Sequence, residues 1–161
     1  MAETLGSLVD KLSIKNLRLW HLDEALEAMS DSDSKKDELQ TKRELVLKQS
    51  QELMGEINAF FADALEGKVK IRDEKVKLYT NKNVKPSDSI KELGLAVSEL
   101  AMRNIRCWHL EDEVRREDLL DAEIVQLKRR IDATNQERND LMDKVDQILA
   151  NEAQQRKEVS S

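Results

Sequence analysis

Several polar residues occupy positions where a helix would bury apolar side chains. On helical wheels of two predicted helices, an asparagine and an acidic residue lie inside an otherwise apolar stripe that includes a tryptophan, and the apolar series of the last helix contains Arg138 with Asn135 beside it. Burying a carboxylate or a guanidinium is costly unless the group is paired and hydrogen-bonded. We therefore expect either a satisfied polar network or a ligand site. The candidate residues are Asn16, Trp20, Asp23, Asn104, Trp108, Glu111, Asn135 and Arg138.

Two interpretations of this polar layer remain open. In the first, it is a structural network that fixes the register of the helices, as a buried Asn does in a coiled coil. In the second, it lines a pocket in which Arg138 binds a carboxylate or phosphate, because the planar guanidinium suits such anions. The indoles would then stack on a sugar or a base. The antiparallel arrangement predicts Asn104 opposite Asn135, with Arg138 within reach.

A second group of residues suggests a contact surface. Two histidines lie away from the centre of the apolar stripes, beside apolar residues at helical spacing. Such a face is typical of a wider helix packing or of a homodimer interface. The candidate interface residues are Ile14, Leu17, His21, Met102, Ile105 and His109.

A metal site is the alternative use of these histidines. His21 with Glu24 and His109 with Asp112 are spaced as i,i+3 pairs, which resembles the Glu-x-x-His pairs of di-iron bundles. However, the order is reversed, the facing core positions carry no carboxylates, and Arg138 would repel a cation. We therefore predict no metal site and no cofactor.

No catalytic residue is assigned from the sequence. The chain has no Gly-rich phosphate loop and no Ser/His/Asp set, and the single cysteine, Cys107, falls at a core angle typical of a small buried apolar group.

The elements that position these residues come from an internal repeat. Residues 5–24 align without a gap to residues 93–112, and nine of the twenty positions are identical. Both tryptophans and both histidines of the chain fall in register. The same offset relates Glu-Leu-Met at 52–54 to Asp-Leu-Met at 140–142. We therefore predict an all-α, antiparallel four-helix bundle made of two tandem homologous helical hairpins.

Capping signals divide this single domain into segments. The predicted divisions are repeat 1 at 1–65, a crossover at 66–88, repeat 2 at 89–153 and a frayed polar tail at 154–161. A capping box of Ser34 and Asp37 would begin the second helix, and one of Ser89 and Glu92 would begin the third near Ile90. The alignment places the last turn at 118–122. The crossover alternates apolar and basic residues, which predicts either a short β-hairpin or a loop.

The composition restricts the class of protein. Four Gly and one Pro in 161 residues favour long helices over a sandwich, a barrel or a Rossmann sheet. A mean hydropathy of −0.66 and the lack of a long apolar stretch argue against a membrane span. The net charge of −6 and the pI near 5.1 argue against general nucleic-acid binding. The Met-Ala-Glu-Thr start is unlike a signal peptide, so we expect a cytoplasmic protein.

Three segments resemble a known bacterial family. They are LVDKLSIKNLRLWHLDE, NIRCWHLEDEVRR and KRRIDATNQERNDLMDKVD. They are similar to an uncharacterised all-helical family, domain of unknown function 4254, over residues 5–26 and 90–150. The characteristic segments correspond to Trp108–Asp112 and Asn135–Asn139. The first copy has Ala25 and Leu26 where the second has Glu113 and Val114, so any family site belongs to the second copy.

The resemblance implies no assigned activity, and some members accompany cell-envelope glycosyltransferase genes. We expect a non-enzymatic binding or assembly module of the bacterial cytoplasm that forms a homo-oligomer. The alternative is a ligand-binding or enzymatic protein that acts on an anionic sugar or nucleotide in the polar layer and is linked to cell-envelope polysaccharide synthesis.

Overall fold

A computed structural model describes residues 3–72, 78 and 80–160. It contains four helices: α1 (Leu5–Ala28), α2 (Lys36–Leu65), α3 (Leu93–Val114) and α4 (Asp121–Ser160). These described residues contain no strand, so the predicted all-helical class is confirmed. None of the described helices combines the length and the apolar character that crossing a membrane requires.

The helices pack as a bundle in which α1 has three neighbours. The most extensive contacts are between α1 and α2 and between α3 and α4. α1 also packs against both α3 and α4, whereas within the described ranges α2 packs mainly on α1. α1 therefore buries side chains in several directions, and a single apolar stripe does not describe it.

Two apolar clusters hold the bundle together. The larger one joins all four helices through Leu5, Ala64, Ala96, Val145 and Leu149. The smaller one lies between α3 and α4 and is formed by Leu110, Leu127 and Ile131. α2 enters the larger cluster through Ala64, which lies near the C-terminal end of the helix. The C-terminal end of α2 is therefore packed more closely on the bundle than its N-terminal end.

The helix starts differ from the predicted capping boxes. α2 begins at Lys36 with Lys35 as its N-cap, and the Asp33 carboxylate accepts a hydrogen bond from the Lys35 N–H (2.9 Å), so the predicted Ser34–Asp37 box is wrong. α3 begins at Leu93, with Glu92 as its N-cap.

The predicted start of α3 near Ile90, with a Ser89–Glu92 box, is therefore also wrong. The Ile90 N–H donates to the Ser87 carbonyl (3.0 Å) in a turn, and the Ile90 side chain packs against the larger cluster. This packing holds residues 87–90 outside the helix. The capping box that does form is at α1, between Thr4 and Ser7.

The crossover packs along the helices. Between α2 and α3 the connection spans residues 66–92, four residues longer than predicted. Its described residues, 66–72, 78 and 80–92, form no strand, and the rest of the predicted hairpin, residues 73–77 and 79, lies outside the described residues. Val69 and Ile71 pack against the larger cluster, while Arg72 donates to both carboxylate oxygens of Asp143 in α4 (3.1 and 2.9 Å). An extended chain lying on a helix surface also alternates buried and exposed residues, which explains the period-two pattern.

The ends of the helical segments are also defined. Gly67, with φ +74°, follows the C-cap of α2, where glycine adopts the left-handed conformation without strain. The loop between α3 and α4 spans residues 115–120, close to the predicted turn. Residues 154–160, expected to form a frayed polar tail, are the last turns of α4.

Candidate functional site

A buried polar network connects α1, α3 and α4. The Asn104 Nδ2 donates to Asp10 Oδ1 (2.9 Å), and Arg138 Nη2 donates to both oxygens of the same carboxylate (3.2 and 3.0 Å). Arg138 Nη1 donates to Asn135 Oδ1 (2.9 Å). The structure thus brings together three of the predicted residues, Asn104, Asn135 and Arg138. The anion that Arg138 binds is a carboxylate of its own chain.

Asp10 is the central acceptor of this network, and the sequence analysis missed it. Asp10 is buried although it lies outside the apolar stripe that we drew on α1. That stripe assumed one buried face, whereas α1 packs on three helices. The available signal was a charged residue close to three apolar positions of the same helix, Leu5, Leu8 and Val9.

Five predicted site residues lie outside the network, and four of them are Asn16, Trp20, Asp23 and Glu111. The Trp20 side chain is 65% exposed, and Asn16 and Glu111 are also exposed. Asp23 forms an ion pair with Arg43 of α2. The predicted pocket lined by all eight residues is therefore not assembled, because α1 turns the Asn16 and Trp20 side of its surface toward solvent.

The Trp108 indole instead stacks on an imidazole. The rings of His21 and Trp108 are 4.4 Å apart with 7° between their planes, and His21 Nδ1 lies 3.1 Å from Glu24 Oε2. This contact joins α1 to α3, so the indole meets a ring of the same chain rather than an open cavity.

The predicted interface residues divide between two environments. Ile14, Leu17 and His21 on α1 are half-buried, and His21 makes the ring contact just described. Met102, Ile105 and His109 on α3 are exposed and share one face at i, i+3 and i+7 spacing. The α3 half of the set therefore remains accessible, whereas the α1 half contributes to packing inside the bundle.

A second buried ionic cluster was missed by the sequence analysis. Arg103 Nε donates to Glu137 Oε2 (2.7 Å), and both side chains are only 7% exposed. Arg103 also donates to Glu99 (2.8 Å), while the Lys85 N–H donates to the other Glu137 oxygen (2.7 Å). The cluster holds the crossover against α3 and α4. The available sequence signal was the adjacent acidic and basic pair Glu137-Arg138 in one predicted helix. The structure places both side chains largely out of water.

Cys107 lies at the edge of the first network. Its Sγ donates to Asn135 Oδ1 (3.5 Å), and burial raises the pKa of the Cys107 thiol above its ordinary value. A raised pKa lowers the fraction of reactive thiolate at neutral pH. In the described part of the chain, no three His, Cys, Asp or Glu side chains are grouped so that they could hold a metal ion.

Comparison with known proteins identifies a family. A family model described as Protein of unknown function (DUF4254) matches residues 1–72 and 95–161. The matched ranges include Asp10, Asn104, Asn135 and Arg138, whereas part of the crossover falls between them. No curated protein matches the chain, and no solved structure does. The match covers most of the sequence, and the chain therefore belongs to the DUF4254 family.

Proposed function

We propose that this protein is a non-enzymatic helical assembly module in which two copies pair through α2. One observation carries this proposal: α2 bears an exposed apolar stripe beside the face that packs on α1. We call it the α2 stripe, and its residues are Leu47, Met54, Phe61 and Leu65. Their exposed fractions lie between 36% and 46%, so each side chain is partly covered and still accessible.

The spacing of the α2 stripe favours a helical partner. Leu47, Met54 and Phe61 are seven residues apart, and Leu65 follows four residues later. A seven-residue apolar repeat is the pattern with which one helix packs against another along a seam. α2 already uses one such seam, which includes Val46, Ser50 and Ala64, for its own bundle. The α2 stripe therefore supports a second helix contact on the outer side.

The charge distribution of α2 favours a second copy as the partner. Residues 36–50 carry four basic and three acidic side chains, whereas residues 51–65 carry three acidic and no basic ones. Antiparallel pairing about Met54 places Leu47 opposite Phe61 of the second copy. It sets residues 58–65, with one acidic side chain and no basic one, against residues 43–50, with two basic and one acidic, while residues 51–57 of the two copies face each other. Parallel pairing would align the two acidic halves, which repel each other. The antiparallel arrangement is a two-fold interface, the commonest symmetry of homo-oligomers.

The buried polar network supports a structural role at the centre of the bundle. Arg138 and Asp10 bind each other, Asn104 donates to Asp10, and Asn135 accepts from Arg138. The Arg138 Nε is buried and has no hydrogen-bond partner among the residues that the structure describes. A group that is already paired in this way is poorly suited to bind substrate, because a ligand would have to replace an existing ion pair.

Light scattering on chromatographed protein tests the proposal. We expect a dimer at tens of micromolar for the unaltered chain and a monomer for Phe61→Glu, because a charge inside an apolar seam must be desolvated on pairing. Met102→Glu places the same change on the exposed face of α3 and should remain dimeric. Circular dichroism verifies that both variants are folded.

A monomeric parent protein contradicts the proposal. The proposal is also contradicted if Met102→Glu is monomeric while Phe61→Glu remains dimeric. That result would place the interface on the exposed face of α3. Orientation is tested by disulfide formation in a Cys107→Ser background. An equal mixture of Leu47→Cys and Phe61→Cys chains should give the mixed dimer, whereas parallel pairing would link each variant to itself.

A further inference from the structure

A basic cleft opens between α3, α4 and the crossover, apart from the α2 stripe and from the Asp10 network. Its volume is about 530 Å³, and its walls include Lys82 and Asn83 of the crossover, Arg106 of α3, and Arg129 and Arg130 of α4. Pockets that hold small molecules are roughly 300–1,000 Å³ in volume. The cleft is therefore large enough for a metabolite and too small to enclose a macromolecule.

The charges that line the cleft are mostly positive. Lys82, Arg106, Arg129 and Arg130 face two acidic residues, Asp132 and Glu137. Glu137 is already engaged by Arg103, so its negative charge is largely neutralised. Among the residues that the structure describes, Lys82, Arg129 and Arg130 form no ion pair.

This positive excess occurs in a chain with a net charge of −6. Cations of like charge around one concave surface repel one another and raise the local concentration of anions. Arg106 adds to this positive excess. Its Nη1 lies 3.8 Å from the Glu137 carboxylate, which already pairs with Arg103 at 2.7 Å, so two guanidinium groups share one negative charge. The uncompensated charge is thus suited to an external anion.

Hydrogen bonds to α4 hold the part of the crossover that forms one wall of the cleft. The Asn81 N–H donates to Gln136 Oε1 (2.7 Å), and Asn81 Nδ2 donates to the Asp132 carbonyl (3.3 Å). The Lys85 N–H donates to Glu137 (2.7 Å) on the other side of the turn. Between these anchors, Asn83 adopts a left-handed conformation with φ 63°, which Asn tolerates better than most residues. The cleft is therefore formed before any ligand binds.

We propose that this cleft binds a small molecule that carries phosphate. Arg129 and Arg130 supply two guanidinium groups, whose planar N–H pairs match phosphate oxygens, and Lys82 adds a flexible ammonium from the opposite wall. A phosphate bears up to two negative charges and so offsets more of the positive excess than a carboxylate does. This site is independent of α2, so dimerisation and anion binding can be tested separately.

Isothermal titration of the full chain with inorganic pyrophosphate at low ionic strength tests the proposal. We expect saturable binding to the parent protein and about tenfold or greater weakening in Arg129→Gln/Arg130→Gln, because two charge-assisted contacts are lost. Lys128→Gln removes one positive charge from the same helix outside the cleft and should bind within about twofold of the parent protein, since an exposed charge outside the site acts only through screened electrostatics.

Two results would overturn the proposal: no saturable binding of pyrophosphate, or equal weakening by the double variant and Lys128→Gln. Parallel titrations with inorganic phosphate and ribose 5-phosphate distinguish the source of the group. If ribose 5-phosphate binds more tightly than inorganic phosphate, the ligand is an organic phosphate. If inorganic phosphate binds more tightly, the ligand is free phosphate. Circular dichroism should show an unchanged helix content in the double variant, because Arg129 and Arg130 are exposed.

Discussion

Arg138 binds both carboxylate oxygens of Asp10 and holds Asn135 with its other amino group. Its side chain is 20% exposed and that of Asp10 is 9% exposed, so the pair lies largely out of water. Such a pair adds little compared with apolar residues of the same shape, but removing one partner leaves a buried charge. The pair therefore specifies how α1 and α4 sit against each other.

Arg138→Met should lower the free energy of unfolding by about 3 kcal/mol, because the Asp10 carboxylate keeps only the Asn104 hydrogen bond. Urea denaturation measures the change. In the double variant Asp10→Asn/Arg138→Met, the free energy of unfolding should fall by less than the sum of the two single effects. The reason is that the double variant has no unpaired carboxylate at position 10.

Arg129→Met is the matched control on the same helix, because Arg129 is exposed, and its stability should be close to that of the parent protein. If Arg138→Met were as stable as the parent protein and an anionic metabolite stabilised only the parent, Arg138 would be a ligand-binding residue rather than a structural one.

At the scale of the helices, the first turn of α1 comes very close to α4. A Cβ atom on Gly6 would lie 2.1 Å from the Met142 carbonyl oxygen. The Gly6 N–H donates to Asp146 Oδ1 (2.7 Å) in a buried hydrogen bond. The carboxylate thus satisfies a free amide at the helix N-terminus and lies where the helix dipole favours a negative charge. Glycine permits this contact because it lacks a Cβ.

Gly6→Ala should destabilise the protein by about 2 kcal/mol or more, because the helices must separate to admit the methyl group. Gly94 aligns with Gly6 in the sequence, and a Cβ there would meet no described atom within 4 Å. Gly94→Ala should therefore stabilise the protein by about 0.5–1 kcal/mol, through helix propensity alone. Thermal unfolding of both variants gives the comparison, and a change of the same sign in both would contradict the close contact at Gly6.

Residues that match in the repeat alignment lie in different environments. Leu5 is buried and Leu93 is exposed, while Trp20 is exposed and Trp108 stacks on His21. α1 packs extensively against three helices, whereas α3 packs extensively against two. The identical residues in the two segments are therefore not equivalent in packing, and Asn16 and Trp20, which the helical wheel places inside the apolar stripe of α1, are exposed.

At the scale of the whole molecule, stability is distributed unevenly. The middle of α4 carries many buried side chains, among them Ile131, Leu141, Val145 and Leu149. By contrast, residues 36–45 of α2 are half-buried or exposed throughout. Local opening requires less free energy where fewer apolar contacts must be broken. The N-terminal part of α2 is thus expected to open independently of the bundle.

Hydrogen exchange monitored by NMR tests this expectation. Amides of residues 40–45 should exchange at least about tenfold faster than those of residues 131–149, because the latter open only with the apolar core. Residues 40–45 precede the α2 stripe, so pairing of two copies should protect them less than it protects Phe61. Equal protection in both segments would show that the bundle opens as a single unit.

The sequence alone determined the helical class, because scarce Gly and Pro and the 3.6-residue periodicity are local properties of the chain. It also indicated a buried polar group with Asn104, Asn135 and Arg138, since these residues share the hairpin of α3 and α4, where an antiparallel turn sets the register.

Only the tertiary structure decided which chain segment completes that group. Asp10 reaches Arg138 because α1 crosses α4 closely at Gly6, and the basic cleft forms because the crossover is bonded to α4 through Asn81 and Lys85. These contacts join residues about 50 or more positions apart, and helix periodicity does not fix which faces of distant helices meet. Close packing of the whole chain selects those faces, so only the tertiary structure determines which residues pair with the buried charges.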